Sequence, residues 1–346
     1  MPVQGSLGEL ESVGREEISA MAFLKHPALT KGAAALAAAF FLTGVAQAEP
    51  FAYITNQKGN SVSVIDTSSG KVIDTLALPP GSEPAGVAVS RDGSTVCVAN
   101  PGSKDITVID GQSRKIVGKV PVGTGGVGVA LSVDGQYAFA ADWFERNIAV
   151  VDVKNLSVVR RIPVGNIPAG LVASRAGENV YVSNRDDDTL SEIDLKTWTV
   201  KRTVKVGKHP FGIHLSEDGT KLYSANVESN DLSVVDLATF TLSKTVTVGD
   251  RPYAVGEAQG RLFVTNQYDA SVSVIDTKDL KPVATIKVGE YPEGIATHPD
   301  GKQVYVANWM GNSVSVIDAS ELKVVNTIPT GDGSRAFGEF IARGKH

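Results

Sequence analysis

The stretch YVANWMGNSVSVID, Tyr305 to Asp318, repeats a phrase already present as YITNQKGNSVSVID, Tyr53 to Asp66, and as FVTNQYDASVSVID, Phe263 to Asp276. Each phrase is two short runs of β-branched and aromatic residues joined by a polar turn, which reads as a β-hairpin. The Asn that ends its first run is matched along the chain by Asn56, Asn100, Asp142, Asn184, Asn226, Asn266 and Asn308. The Asp that ends its second run recurs as Asp66, Asp110, Asp152, Asp194, Asp236, Asp276 and Asp318, always ten residues after the first mark. Copy follows copy at steps of 44, 42, 42, 42, 40 and 42 residues. A third landmark, a Gly after a Pro-containing turn, falls at Gly86, Gly128, Gly170, Gly212, Gly294 and Gly338, with Ala254 once in its place. Three landmarks in phase over seven copies make an internal repeat.

Each copy holds four strands. In one, GIHLS (Gly212 to Ser216), KLYSAN (Lys221 to Asn226), LSVVD (Leu232 to Asp236) and LSKTVTV (Leu242 to Val248) are separated by DG, SN and VG turn signals. Four antiparallel strands per 42 or so residues is the period of a β-propeller blade. A solenoid shares that period but needs polar capping repeats, and neither end of the chain resembles one. The ends are instead complementary. The repeats begin with FAYITN, a second strand without its first, and end with AFGEFIA (Ala336 to Ala342), a first strand with nothing after it. The expected fold is therefore all-β: a seven-bladed propeller closed by the C-terminal strand completing the N-terminal blade, which removes the exposed sheet edge. Insertions are expected in the connections: two extra residues in LPPGSEP, two fewer in EAQGR, and two extra again in PTGDGSRAFG. The Val and Ile of SVSVID should pack blade on blade, with the polar alternates facing edges or water.

With YITN, YVSN, FVTN and YVAN beside SVSVID and TIPVG/TIKVG, residues Phe51 to Ala342 resemble the YVTN-repeat β-propeller family of secreted and surface proteins from bacteria and archaea. These motifs are the blade itself, so they specify fold far more than function. The resemblance implies relatives of several kinds: some linked to quinone-dependent catabolism, and more distantly lactonases and amine-dehydrogenase subunits.

The rest of the chain is read from its chemistry. Residues 21–48 have a basic start (Lys25, Lys31), an apolar run from Gly32 to Val45 and Ala46-Gln47-Ala48 at the end. That is the plan of a secretory signal peptide cleaved before Glu49, which places the product in the periplasm or outside the cell. Residues 1–20 carry Glu9, Glu11, Glu16 and Glu17, the wrong chemistry for a leader, and are expected to be an over-extended start upstream of Met21. Residues 49–346 then form the propeller. Net charge is -5, and residues 1–48 hold four of the acids and three of the bases, so the remainder keeps -4. Neither a nucleic-acid surface nor a membrane patch is announced, and no membrane span is expected after cleavage. Cys97 is the one cysteine, which excludes an intramolecular disulfide and a CxxCH haem attachment.

Function must lie where copies differ. In a propeller the loop entering each first strand and the loop between second and third strands share one face. There most copies place bland residues, but Trp143, Phe144, Arg185, Tyr268, Trp309 and Met310 follow the Asn/Asp mark. His209, Phe211, Arg251, Tyr253, Tyr291 and Arg335 lie in or before the turn. Aromatic area beside arginine forks suits a contact site. The candidate binding residues are Trp143, Tyr291 and Trp309 for contact area, Arg185, Arg251 and Arg335 for anion recognition, and His209 as a pH-sensitive member.

A catalytic set does not assemble from the sequence. His214 takes a first-strand place filled elsewhere by Ala88, Ala130, Val172, Gly256, Ala296 and Phe340. Glu257 and Glu339 read as the only carboxylates within first strands, at other depths than His214, so no three-ligand metal site is evident. Asp186-Asp187-Asp188 lacks the glycine and terminal glutamate of a calcium loop. There is no GxSxG, phosphate loop or HExxH. The expectation is a binding or scaffold propeller without cofactor or metal, recognising a protein partner or a small ligand, anionic ones included, at one channel mouth. The rival is a lactonase-like hydrolase, or an accessory subunit of a quinone-dependent periplasmic dehydrogenase.

Overall fold

The computed structural model describes residues 50–123 and 125–342. The expected leader and the acidic stretch before it lie outside the described residues. Six four-stranded antiparallel sheets follow one another, spanning Gly86–Pro121, Val129–Pro163, Pro168–Lys205, Pro210–Thr247, Pro252–Lys287 and Pro292–Pro329. A three-stranded sheet, Phe51–Ala77, precedes them. Its fourth strand comes from the C-terminus: Arg335 N–H donates to Thr55 O at 2.9 Å and Tyr53 N–H to Phe340 O at 2.9 Å. The expected seven blades and their closure are thus present. Blade 1 is the shared one, and blades 2 to 7 follow in chain order.

Burial corrects one expectation. The third strands are not half-wet: in SVSVID of blade 1, Ser61 to Ile65 are all buried. Blades pack on both faces, so the serines need internal partners, and the landmark Asn supplies them. Asn56 Nδ2 donates to Ser61 Oγ at 3.0 Å and Ser63 Oγ at 2.9 Å. Asn266 and Asn308 hold Ser271, Ser273, Ser313 and Ser315 in the same way. A buried hydroxyl without such a partner would cost about 1–3 kcal/mol. Strict alternation is confined to two of the outermost strands, Lys71–Ala77 and Thr199–Lys205. The aromatic that opens YVTN fills the core as Tyr53, Phe139, Tyr223, Phe263 and Tyr305. Cys97 stands at this place in blade 2, buried, its thiol pushed up to about 12 by desolvation.

The landmark Gly has a steric cause. A Cβ on Gly86 would lie 1.7 Å from Val127 O, one on Gly128 1.7 Å from Ala169 O, and one on Gly170 2.3 Å from Phe211 O. Each innermost strand presses backbone to backbone against the next. For the last contact the neighbour of Gly294 is Ala336, whose carbonyl oxygen a Cβ would meet at 2.2 Å. The closing strand pairs Ser334 with Asn56 as blade 4 pairs Pro168 with Asn184, two residues before its landmark Gly170, so the third landmark of blade 1 is Ala336 and not Gly338, and the connection from Asp318 has the ordinary length. The two surplus residues lie inside the closing strand. It is in register at Asn56↔Ser334 but reaches Ala52 only at Ile341. The slack segment turns to its other neighbour: Val87 N–H donates to Phe337 O and Val89 N–H to Glu339 O, both at 2.9 Å. The deletion in EAQGR resolves as a two-residue turn, Gln259-Gly260, with φ of 49° and 68°.

The Asp that ends each third strand accepts N–H bonds from the following turn, as Asp66 does from Ser68 at 2.9 Å and Asp152 from Asn155 at 2.8 Å. Such bonds hold the carboxyls of Asp66, Asp110, Asp152, Asp194, Asp236 and Asp318 below their ordinary range. In the turn between first and second strands of blade 5, the Ser216 and Thr220 bonds take Asp218 down to about 2.

Two outcomes follow from this architecture. Gly128→Ala should lower unfolding stability in urea by about 1–3 kcal/mol, because carbonyl and methyl must be pushed apart through a packed wall. Depressed carboxyls contribute stability that is complete above their unfolded pKa and is lost as pH falls through the folded one. The thermal midpoint should therefore drop between about pH 4 and about pH 2, and Asp218→Asn should flatten the acid end of that curve.

Candidate functional site

The two loop sets expected to share a face are joined by backbone bonds in blade after blade. The residue before the Pro accepts from the residue after the Asn: Arg185 N–H to Ile167 O at 3.1 Å, Val227 to His209 at 3.0 Å, Gln267 to Arg251 at 3.0 Å and Trp309 to Tyr291 at 2.9 Å. The pre-proline residue is left-handed, with φ of 53° at His209, 53° at Arg251 and 51° at Tyr291. That conformation is disfavoured for a side chain ahead of proline. Side chains of the preceding hairpin hold it: Asp188 Oδ1 accepts His209 N–H at 2.9 Å and Asn230 Oδ1 accepts Arg251 N–H at 3.0 Å. In this hairpin Asp186 pairs with Arg185, Asp187 accepts Asn166 N–H and Asp188 holds His209, so the triple-Asp run is spent on turns.

On this platform six of the seven candidate residues form one chain of contacts. Arg185 lies over the Trp143 ring at 5.6 Å and Trp143 meets Phe211 edge-on at 6.5 Å. Phe211 packs on Tyr253 at 4.3 Å, and Arg335 Nη2 donates to Tyr253 Oη at 2.8 Å. Arg335 in turn covers Trp309 at 5.1 Å. Trp309, Tyr291 and Tyr268 then follow edge to face at 6.2 and 5.7 Å, and Arg251 closes the arc over Tyr268 at 4.9 Å. Lys58 adds a second cation over Trp309 at 6.0 Å and touches Met310. His209 stands apart, its Nδ1 3.1 Å from Glu228 Oε1.

The arc has a wet end and a dry end. Tyr268, Tyr291 and Met310 are exposed, and Phe144 more so at 66 %. Toward the axis the first positions of the innermost strands meet: Ala85, Val127, Ala169, Phe211 and Tyr253, all buried, then Glu293 and Arg335. Phe337 packs over them, 5.0 Å from Phe211 and 5.7 Å from Tyr253. Glu293, only 1 % exposed, receives Arg335 Nε at 2.6 Å and Gln267 Nε2 at 2.7 Å. Burial pushes the Glu293 carboxyl up, against the pull of Arg335 and Gln267. Burial also works against charge on Arg335, but Tyr253 and Glu293 outweigh it and the guanidinium is held charged. The Tyr253 hydroxyl is raised, by burial first.

Two sequence expectations change here. Glu293 is a third first-strand carboxylate, which sequence reasoning missed; the signal was an acid in a column of Ala, Val, Phe and Tyr. Arg335 was expected to recognise an anion, yet two of its nitrogens are committed to Glu293 and Tyr253. At the other end of the channel His214 lies between Glu257 and Glu339, with Nε2 3.9 Å from Glu257 Oε2 and Nδ1 3.9 Å from Glu339 Oε1. The surplus in the closing strand makes this possible, since it sets Glu339 at the level of Glu257. The two carboxylates face opposite ring nitrogens, so one ion cannot take both beside a single imidazole nitrogen.

The sequence profile of the YNCE-like beta-propeller family matches residues 23–131 and 169–258, and the chain belongs to that family. The profile of the cytochrome D1 heme domain matches residues 253–336. No curated protein sequence matches the chain. Among solved structures, Kuenenia stuttgartiensis hydrazine synthase superposes with a TM-score of 0.67 at 21% identity, over 76% of this chain and 91% of that one. A functionally unknown protein from Desulfotomaculum acetoxidans DSM 771 gives 0.71 at 16% identity, over 83% and 99%. The dihydro-heme d1 dehydrogenase NirN, solved in complex with DHE, gives 0.61 at 19% identity, over 81% of this chain and 63% of that one. At these identities the likeness is one of fold.

Arg335→Ala should cost about 3–5 kcal/mol of stability, because it strands the Glu293 carboxylate in the core. Arg335→Met combined with Glu293→Gln should recover most of that loss in chemical denaturation.

Proposed function

We propose that this YNCE-like propeller is a non-enzymatic recognition module, acting in the periplasm or outside the cell, that docks a protein partner on the face bearing the aromatic and cationic arc. The observation that carries the reading is the continuity of Arg251, Tyr268, Tyr291, Trp309 and Lys58, drawn from three blades onto one open surface. Flat rings with cations laid over them supply area at low entropic cost, the composition of energetic centres in protein contacts. An open rim with Tyr268 and Tyr291 exposed suits a protein surface better than an enclosed small molecule. The leader expected at 21–48 supports export, and among the described residues no helix is long and apolar enough to cross a membrane.

The cytochrome D1 profile raises a haem-type group as an alternative occupant of this mouth. The residues there do not fit one. Phe211, Tyr253 and Phe337 pack ring against ring at 4.3 to 5.7 Å across the axis, and a macrocycle has no slot between them. The nearby histidine, His209, is turned to Glu228.

Capture of partners from a periplasmic extract on the immobilised chain tests the reading. Tyr291→Ala with Trp309→Ala should weaken retention of a specific protein at least tenfold while leaving the unfolding midpoint close to wild type. An unchanged partner profile would refute the docking face.

A further inference from the structure

The channel mouth opposite the arc holds a second constellation that partner docking does not use. A cavity of about 300 Å³ is walled by His214, Glu257, Thr297 and His298, with Gly256 and Ala296 leaving it room. A smaller one of about 120 Å³ has an apolar wall built from Ala88, Val129, Leu131, Leu171 and Leu215. Both share Arg91, Arg175 and Glu339 in their walls. The combined space is at the small end of ligand sites, which run from about 300 Å³ upward.

The charges are mixed and partly buried. Glu257 is 8 % exposed and His214 7 %. Glu257 Oε2 accepts the Glu217 N–H at 2.9 Å, and Arg175 Nη2 reaches Ser216 O at 3.4 Å, so three successive blades brace the wall. Burial pushes the Glu257 carboxyl up, with the Glu217 N–H and the Arg175 charge opposing. At the equivalent depths the other blades place Ala88, Ala130 and Val172, or Val89, Leu131 and Ala173. His214 and Glu257 thus replace small or apolar residues on one side of one mouth, a departure that the repeat itself does not require.

We propose that this mouth binds a small zwitterion with an apolar tail, of the α-amino-acid class. Its ammonium sits on Glu257 beside His214, its carboxylate on Arg91 and Arg175, and its tail against Leu131 and Leu171. A ligand of one charge would gain from one set and be repelled by the other, whereas a zwitterion satisfies both. Gly256, where an added Cβ would meet Ile295 and Thr297 only at ordinary contact distances of 3.4 and 3.5 Å, is open because the ligand needs the volume and not because the wall forbids a side chain.

Three probes with the same branched tail test this by isothermal titration against the whole chain: L-leucine, isopentylamine and 4-methylpentanoate. L-Leucine should bind, and each probe lacking one charge should bind at least tenfold more weakly. Glu257→Gln and Arg175→Ala should each weaken L-leucine about tenfold or more. Gly256→Leu should abolish binding by filling the cavity while the protein still melts cooperatively. Trp309→Ala should leave the titration unchanged, which separates this site from the docking face. No heat with L-leucine at millimolar concentration, equal binding of either singly charged probe, or stoichiometric uptake of zinc lost with His214→Ala would each overturn the assignment.

Discussion

Seven innermost strands have to converge on one axis, and they can do so only where backbone meets backbone. At Gly86, Gly128, Gly170 and Gly212 the neighbouring blade's carbonyl occupies the space a Cβ would need. That contact fixes the distance between blades, and the distance fixes the rest of the packing. With first, second and third strands buried on both faces, the serines of SVSVID lose water and must be served by the Asn five and seven residues before them. With the turns drawn close, His209 and Arg251, each ahead of a proline, are held left-handed by side chains of the preceding blade's hairpin. What looks in sequence like ornament on a hairpin is the consequence of crowding at the centre.

Closure adds a second constraint. The strand that completes blade 1 is two residues too long for its register, and the surplus cannot leave the strand because Ser334 and Ile341 are both paired. It is absorbed by a segment that hydrogen-bonds to blade 2 instead. Gly338, at φ 119°, lets the chain make that excursion. One local irregularity thereby shapes both ends of the channel: Phe337 is delivered onto Phe211 and Tyr253, and Glu339 is lowered to the level of Glu257.

Blade number, closure and the shared loop face were legible because periodicity and landmark spacing report backbone geometry directly. Trp143, Arg185, Arg251, Tyr291, Trp309 and Arg335 were legible as departures from a repeat, and the fold joins them. Their partners were not. Nothing in the string SRAFGEF tells a two-residue surplus in the loop from one in the strand, so the depth of Glu339 was misread. Glu293 was passed over because it precedes the glycine used to mark the strand, and with it went the knowledge that Arg335 is spoken for. Wetness of the third strand was misjudged for a related reason: alternation of Ser with Val mimics a half-exposed strand, and only Asn–Ser bonding across the hairpin shows how the polar half is kept dry.

The aromatic lid also decides how the two ends can relate. Between them the channel retains a void of only about 30 Å³, bordered by Leu171, Ile213, Val255 and Phe337. That is room for a couple of waters and not for a ligand. A molecule bound at the His214 end cannot pass to the Trp309 end, and a partner docked on the arc cannot reach through to the carboxylates. Any influence of one end on the other must travel through the innermost strands, of which the closing segment is the best placed. It carries Arg335 at one mouth and Glu339 at the other within five residues.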